Sequence, residues 1–260
     1  MTATDSTSQS LDLGRVASET FGLVGRNFVT FFVPALLFAG LPAIAILVLQ
    51  PMLIRPGAQA APEALIGILV IVLITVIGAF ILQGALVRAS VDDLSGKGVS
   101  IGSALSAGLQ NVLPLIGLAV LYSLGVAAGM VLLIVPGIML ALRWCVGAPV
   151  LIVERKGVFD SMGRSAVLTK GHRWAIFGLL VIYVIVVGVI NAAVQLTTIG
   201  DPAALAAGAM SAGVMLYFVI MPVLQAIESM ISTVGIAVIY FELRRIKEGV
   251  GIAELAAVFE

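Results

Sequence analysis

The chain has 260 residues, 61% of them hydrophobic and 11% charged, with a mean hydropathy of +1.19. An ordinary globular domain carries about 25% charged residues, so this composition excludes a soluble fold. Fourteen basic and fourteen acidic residues cancel, leaving no global field to attract nucleic acid. One cysteine, Cys145, and one histidine, His172, exclude a disulfide framework and a Cys- or His-cluster metal site, so no cofactor is expected.

Met1–Ser10 is a polar tail without the basic start and apolar core of a signal peptide. Leu13, Val16, Ala17, Phe21, Val24 and Phe28 then recur at three- and four-residue steps, opposite Asp12, Arg15, Ser18, Glu19 and Arg26. That pattern predicts an amphipathic helix lying along a membrane interface, or packed on the protein itself. Phe28–Gln50 is a first span, long enough for a hydrocarbon core of roughly 30 Å and kinked by Pro34 and Pro42. Its Ala35, Ala39 and Ala43 form a smooth stripe that another helix can approach closely. Pro51–Glu63 is a short connection with one basic residue, Arg55, and Leu65–Val87 is an uncharged second span.

Arg88–Gly98 is a polar connector, and Ile101–Asn111 reads as a weaker interfacial helix. Val112–Val153 would make one helix of roughly 63 Å, twice the membrane thickness. Pro136-Gly137 is a strong turn signal, dividing it into spans Val112–Val135 and Ile138–Val153. Gly125 and Gly129 give the former a packing face. Glu154–Arg173 is a basic connector in which Phe159, Met162 and Ala166 mark a third interfacial helix. Trp174–Val194 is the fifth span, Gln195–Gly208 a loop without a basic residue, and Met210–Tyr240 the sixth span.

The expected fold is therefore all-α and polytopic, with six transmembrane helices arranged as three hairpins. Each hairpin is preceded by a cytoplasmic interfacial amphipathic helix, beginning near Leu13, Ile101 and Val158. Residues 11–248 form one membrane domain between the tail 1–10 and a cytoplasmic C-terminal tail, 249–260. Twelve Lys and Arg fall on the side of both termini, against Arg55 alone opposite. The positive-inside rule then places both termini in the cytoplasm.

The run Glu154-Arg155-Lys156-Gly157, with Arg164-Ser165, Leu168-Thr169, Gly171 and Trp174, resembles a bacterial family. That family is the membrane domain attached to some glycerophosphoryl diester phosphodiesterases, also found as stand-alone inner-membrane proteins. Pro136-Gly137, Arg143-Trp144 and Ala148-Pro149 resemble its fourth span, and Tyr240-Phe241-Glu242-Leu243-Arg244-Arg245 with Glu248-Gly249 its C-terminal signature. The resemblance implies a six-span membrane domain. It does not carry over diesterase activity, because the catalytic barrel of the fused members has no counterpart here.

Arg143 and Glu228 are the ionisable residues deep in the expected spans. A charge near the midplane costs about 2.5–3.5 kcal/mol, so such residues seek partners inside the bundle. Arg143 lies ~16 Å from Glu154, and Glu228 lies ~18 Å from Tyr240, at 1.5 Å per residue. These depths predict an ion pair, structural or part of a transport site, with Gln225 one turn away; the alternative is no contact, with Arg143 snorkelling outward. Gln83, Asn191 and Gln195 read as single interhelical hydrogen bonds, and Trp144 as a packing residue. Glu242 with Arg244 and Arg245 is expected to cap the last helix.

On the connector, Arg155, Lys156, Arg164, Lys170 and Arg173 either enforce topology or meet anionic lipid headgroups, each contributing ~1 kcal/mol of attraction. Ser165 and Thr169 could add hydroxyl contacts to a phosphate, and His172 is interfacial. The reading that emerges is a non-enzymatic membrane protein that binds lipids or serves another membrane protein, or itself, as a scaffold through small-residue helix faces. A small transporter or channel around Arg143, Glu228 and Gln225 is the alternative. An intramembrane enzyme is the weakest, for want of a nucleophile with a base or an acid pair.

Overall fold

A computed structural model describes residues 11–42, 44–45, 62–198 and 212–249. The tails 1–10 and 250–260, Arg55 and its connection, and the loop around Asp201-Pro202 lie outside the described residues. Among those described there is no strand, and the helices are α1 Leu13–Arg26, α2 Phe28–Ala35 continued by the π-helical turn Leu36–Gly40, α3 Pro62–Leu94, α4 Ile101–Gln110 and α5 Val112–Leu132. They continue as α6 Ile134–Trp144, α7 Gly147–Val153, α8 Val158–Leu168, α9 Arg173–Thr198 and α10 Ala212–Glu248. Five stretches are long and apolar enough to cross a bilayer, one of them α6 and α7 together; a sixth is α1 with α2 if that bent pair is one span.

The bend between α1 and the helix beginning at Phe28 is 84°. Asn27 makes it, leaving helical geometry at φ −113° while its Nδ2 donates to Leu23 O at 3.3 Å and to Asp93 Oδ1 at 2.7 Å. Asn111 repeats the device between α4 and α5, with φ −101° and Nδ2 donating to Ala107 O at 2.8 Å. In both places the backbone N–H of the asparagine donates to the same carbonyl at 3.2 Å, so its amide side chain adds a second donor that ties the residue to the preceding turn. The apolar stripe of α1 is divided. Val16 and Val24 are buried, while Leu13, Phe21 and Phe28 remain exposed.

Three boundaries differ from the sequence expectation. First, the second span does not stop at Val87: α3 runs on through the polar connector to Leu94. Its charges are accommodated by pairing, Arg88 with Asp92 at 3.0 Å one turn away and Arg26 of α1 with Asp93 at 2.6 Å. Helix α4 lies back along α3 rather than standing alone. A Cβ on Gly84 would meet Gly108 Cα at 2.7 Å, and one on Gly108 would meet Ile81 O at 2.3 Å, so only glycine permits this approach.

Second, the chain reverses at Leu133, extended at φ −164° and ψ 150°, not at Pro136-Gly137. Pro136 sits in the first turn of α6, where its missing N–H is no loss because first-turn amides have no intrahelical partner. Gly137 serves the crossing instead: a Cβ on Gly129 would meet Gly137 Cα at 2.9 Å, and one on Gly125 would meet the Trp144 ring at 2.4 Å. Helices α5 and α6 thus run antiparallel over the Gly125–Gly129 face. Third, the fourth span is broken at Cys145–Val146. Pro149 has no N–H for Cys145 O and its ring crowds that carbonyl, so the helix must part there.

Helix α10, 37 residues long, is the axis of the molecule. At ~56 Å it is longer than a ~30 Å hydrocarbon core. Ala226, Met230, Val234, Ala237, Val238, Tyr240 and Leu243 are each 0–1% exposed, and α1, α2, α3, α7, α8 and α9 all pack on it. Of the expected alanine stripe, Ala35 is fully buried, Ala39 is half-buried and Ala43 lies outside the described residues; the close approach is made at Gly40, where a Cβ would meet Pro222 O at 2.7 Å.

Candidate functional site

The expected Arg143–Glu228 pair does not form. No ion pair joins them, Arg143 is exposed, and the Glu228 carboxylate accepts from Asn191 Nδ2 of α9 at 2.5 Å. Tyr183 of α9 adds a bond from its hydroxyl to the Glu228 carbonyl at 3.0 Å, while Gln225 is exposed. Counting residues gives depth along a helix but not the direction a side chain faces. Helix α6 packs on α5, α8 and α9, whereas Glu228 turns toward α9.

Ser165 and Thr169 do not face a headgroup either. Both are fully buried; the Ser165 hydroxyl donates to Arg143 O at 3.0 Å, and the Thr169 hydroxyl lies between Ser165 O at 2.9 Å and Arg143 O at 3.2 Å. The break forced by Pro149 leaves that carbonyl without a regular helical partner, and an unpaired carbonyl at a buried helix end is costly. One turn of spacing on α8 brings the two hydroxyls to it together. The basic connector is thus partly a splint for the broken span.

Around the end of α10 lies an interlocked charge cluster. Arg164 Nε donates to both oxygens of Glu154 at 3.1 Å, and its terminal nitrogen pairs with Glu248. Tyr240, fully buried, donates to Glu154 Oε1 at 3.1 Å and accepts from Arg244, which also holds Glu248 at 2.8 Å. Burial disfavours the Arg164 charge, but hydrogen bonds to Glu248 and Glu154 outweigh it and hold its pKa above the ordinary value. Lys156 reaches Glu154 at 3.6 Å from an exposed position, and Arg155 is exposed. Glu242 pairs with Arg245 at 2.9 Å and Arg15 at 3.3 Å, so Arg244 belongs to a different network from the one expected. The spacing Tyr240, Arg244, Glu248 put all three on one helical face; their partner Glu154, far away in sequence, gave no such signal.

A second group of cations has no carboxylate. Lys170, Arg173 and Lys247 enter no ion pair among the described residues, although Lys247 Nζ donates to Val167 O and Lys170 O at 2.7 and 2.8 Å. Gly171, at φ +91°, turns the chain so that Arg173 returns beside the end of α8, where its Nη2 reaches Ala166 O at 3.5 Å. Arg173 Nε is buried with no partner. Burial lowers the His172 pKa, and Lys247 lowers it further, so this corner repels one more positive charge. No three His, Cys, Asp or Glu side chains among the described residues converge as metal ligands.

Comparison with known families decides the kinship: the membrane domain of glycerophosphoryl diester phosphodiesterase matches residues 116–247, just over half the chain. The chain belongs to this family. No curated protein and no solved structure matches it. The matched segment runs through α5 to the penultimate residue of α10, and so takes in the splinted break, Arg164, Tyr240 and both cation groups. Each stretch that carried the resemblance has a structural task in this membrane domain: Gly137 and Trp144 at the α5–α6 crossing, Pro149 at the break, and Tyr240 with Arg244 in the charge cluster.

Proposed function

We propose that this membrane domain is a non-enzymatic, multi-pass module of a bacterial inner membrane that binds anionic lipid headgroups on its cytoplasmic side. In this reading three helical hairpins cross the bilayer, each led by an amphipathic helix resting on the cytoplasmic leaflet, with both termini inside. The observation that carries it is the group Lys170, His172, Arg173 and Lys247, three cations gathered with no ion-pair partner among the described residues. Arg164 is excluded from that role because Glu154 and Glu248 already engage it. A negative leaflet surface attracts each exposed Lys or Arg by ~1 kcal/mol, so three residues give a roughly hundredfold preference for anionic lipid. The non-enzymatic reading is supported by Ser165 and Thr169 being committed to Arg143 O and by Glu154 and Glu248 being held by arginines.

The test is native mass spectrometry of the intact chain released from nanodiscs that mix anionic and zwitterionic phospholipid. Retention of anionic lipid by the parent chain, reduced about a hundredfold in Lys170→Gln/Arg173→Gln/Lys247→Gln, is the expected result. Equal retention of both lipid classes would overturn it.

A further inference from the structure

A second feature lies away from the cations, inside the span region. Helices α1, α9 and α10 line an open-sided cleft of about 280 Å³. Its walls are apolar, built from residues such as Leu179, Val186, Ile190, Ile227 and Ile231, with Val16 and Phe21 contributed by α1. The volume sits at the low end of ligand cavities, ~300–1,000 Å³, a size for one chain rather than two.

Four polar side chains reach the wall, and three are already satisfied. Thr20 donates to Val16 O at 2.7 Å, Ser232 to Ser229 O at 3.2 Å and Tyr183 to Glu228 O at 3.0 Å. The fourth is Glu228. Asn191 occupies its Oε1, but no described residue donates to Oε2. Twelve residues before Tyr240, this acceptor sits ~18 Å along α10, where hydrocarbon supplies no donor. A plain acyl chain would fill the apolar walls and leave the oxygen unanswered.

We infer that the cleft binds an uncharged single-chain lipid bearing a hydroxyl, the chain between α9 and α10 and the hydroxyl donating to Glu228 Oε2. The site is separate from the headgroup reading and does not depend on it.

The experiment uses the full chain in nanodiscs with two photoactivatable probes, a diazirine-bearing long-chain alcohol and its methyl ether. The alcohol should label peptides of α9 and α10 that line the cleft about tenfold more than the ether, the advantage of one hydrogen bond. Unlabelled alcohol should compete. Ile231→Trp, which fills the cleft while keeping all four polar side chains, should abolish the competed labelling. Glu228→Gln should remove most of the preference for alcohol over ether while labelling by ether persists. The triple cation variant should label like the parent, so loss of headgroup binding and loss of the cleft site are read separately. Equal labelling by the two probes, or competed labelling that survives Ile231→Trp, would overturn the assignment.

Discussion

Arg143 O shows how one atom can organise a connector. Proline at position 149 parts the span, the parted helix exposes a carbonyl, and two hydroxyls from another helix converge on it. A single replacement leaves the second donor in place, so Ser165→Ala should cost about 1 kcal/mol. Removing both donors with Ser165→Ala/Thr169→Val leaves a buried acceptor unpaired, and the loss should reach about 3 kcal/mol. Thermal unfolding in mild detergent reads the difference. A double variant no worse than the sum of two small single effects would mean that the carbonyl finds another donor. The pattern of residues announced these hydroxyls as notable by their spacing, but not their direction. Position on a helix can be counted from a sequence, whereas azimuth depends on which neighbour the helix meets, and the same gap misplaced the Arg143–Glu228 pair.

Elements were legible where composition alone decides them. Long apolar runs marked the spans, and the small residues Gly125 and Gly129 marked a face that does meet another helix. Boundaries were less legible, because proline has opposite meanings at different helix positions: Pro136 is harmless in a first turn, and Pro149 breaks a helix. The polar run after Val87 looked like a connector because its carboxylates were read without their partners Arg26 and Arg88. The α5–α6 crossing gives a direct test. Gly137→Leu drives a side chain into Met130, whose Cγ would lie 2.5 Å from the new Cβ, and forces the helices apart. A loss of ~1–3 kcal/mol is expected from such overpacking. A disulfide engineered across the crossing should also form more slowly than in the parent. Gly163→Leu, at a helix position where a Cβ meets nothing, is the matched control and should change neither readout.

At the scale of the molecule, the charged end joins segments that are far apart in the chain. Glu154 follows α7, Arg164 lies on α8, and Tyr240, Arg244 and Glu248 end α10. These ties close at one end the bundle that α10 threads, so their titration should be felt globally. Burial raises the Glu248 pKa, but hydrogen bonds from Arg244 and Arg164 outweigh it and hold it below the ordinary value. A carboxylate depressed in the folded state binds fewer protons there than when unfolded, so folding is favoured above its unfolded pKa, about 4.3. The contribution is complete at neutral pH, begins to fall as pH drops toward that value, and is gone below the lower folded pKa. Thermal unfolding temperature should therefore stay level from pH 7 to about 5 and decline below it. Glu248→Gln should start from a lower temperature at pH 7 and lose part of the acid decline, because the neutral amide has no proton to gain. An equally steep decline in Glu248→Gln would assign the acid sensitivity to other carboxylates and break the link between this cluster and the stability of the whole bundle.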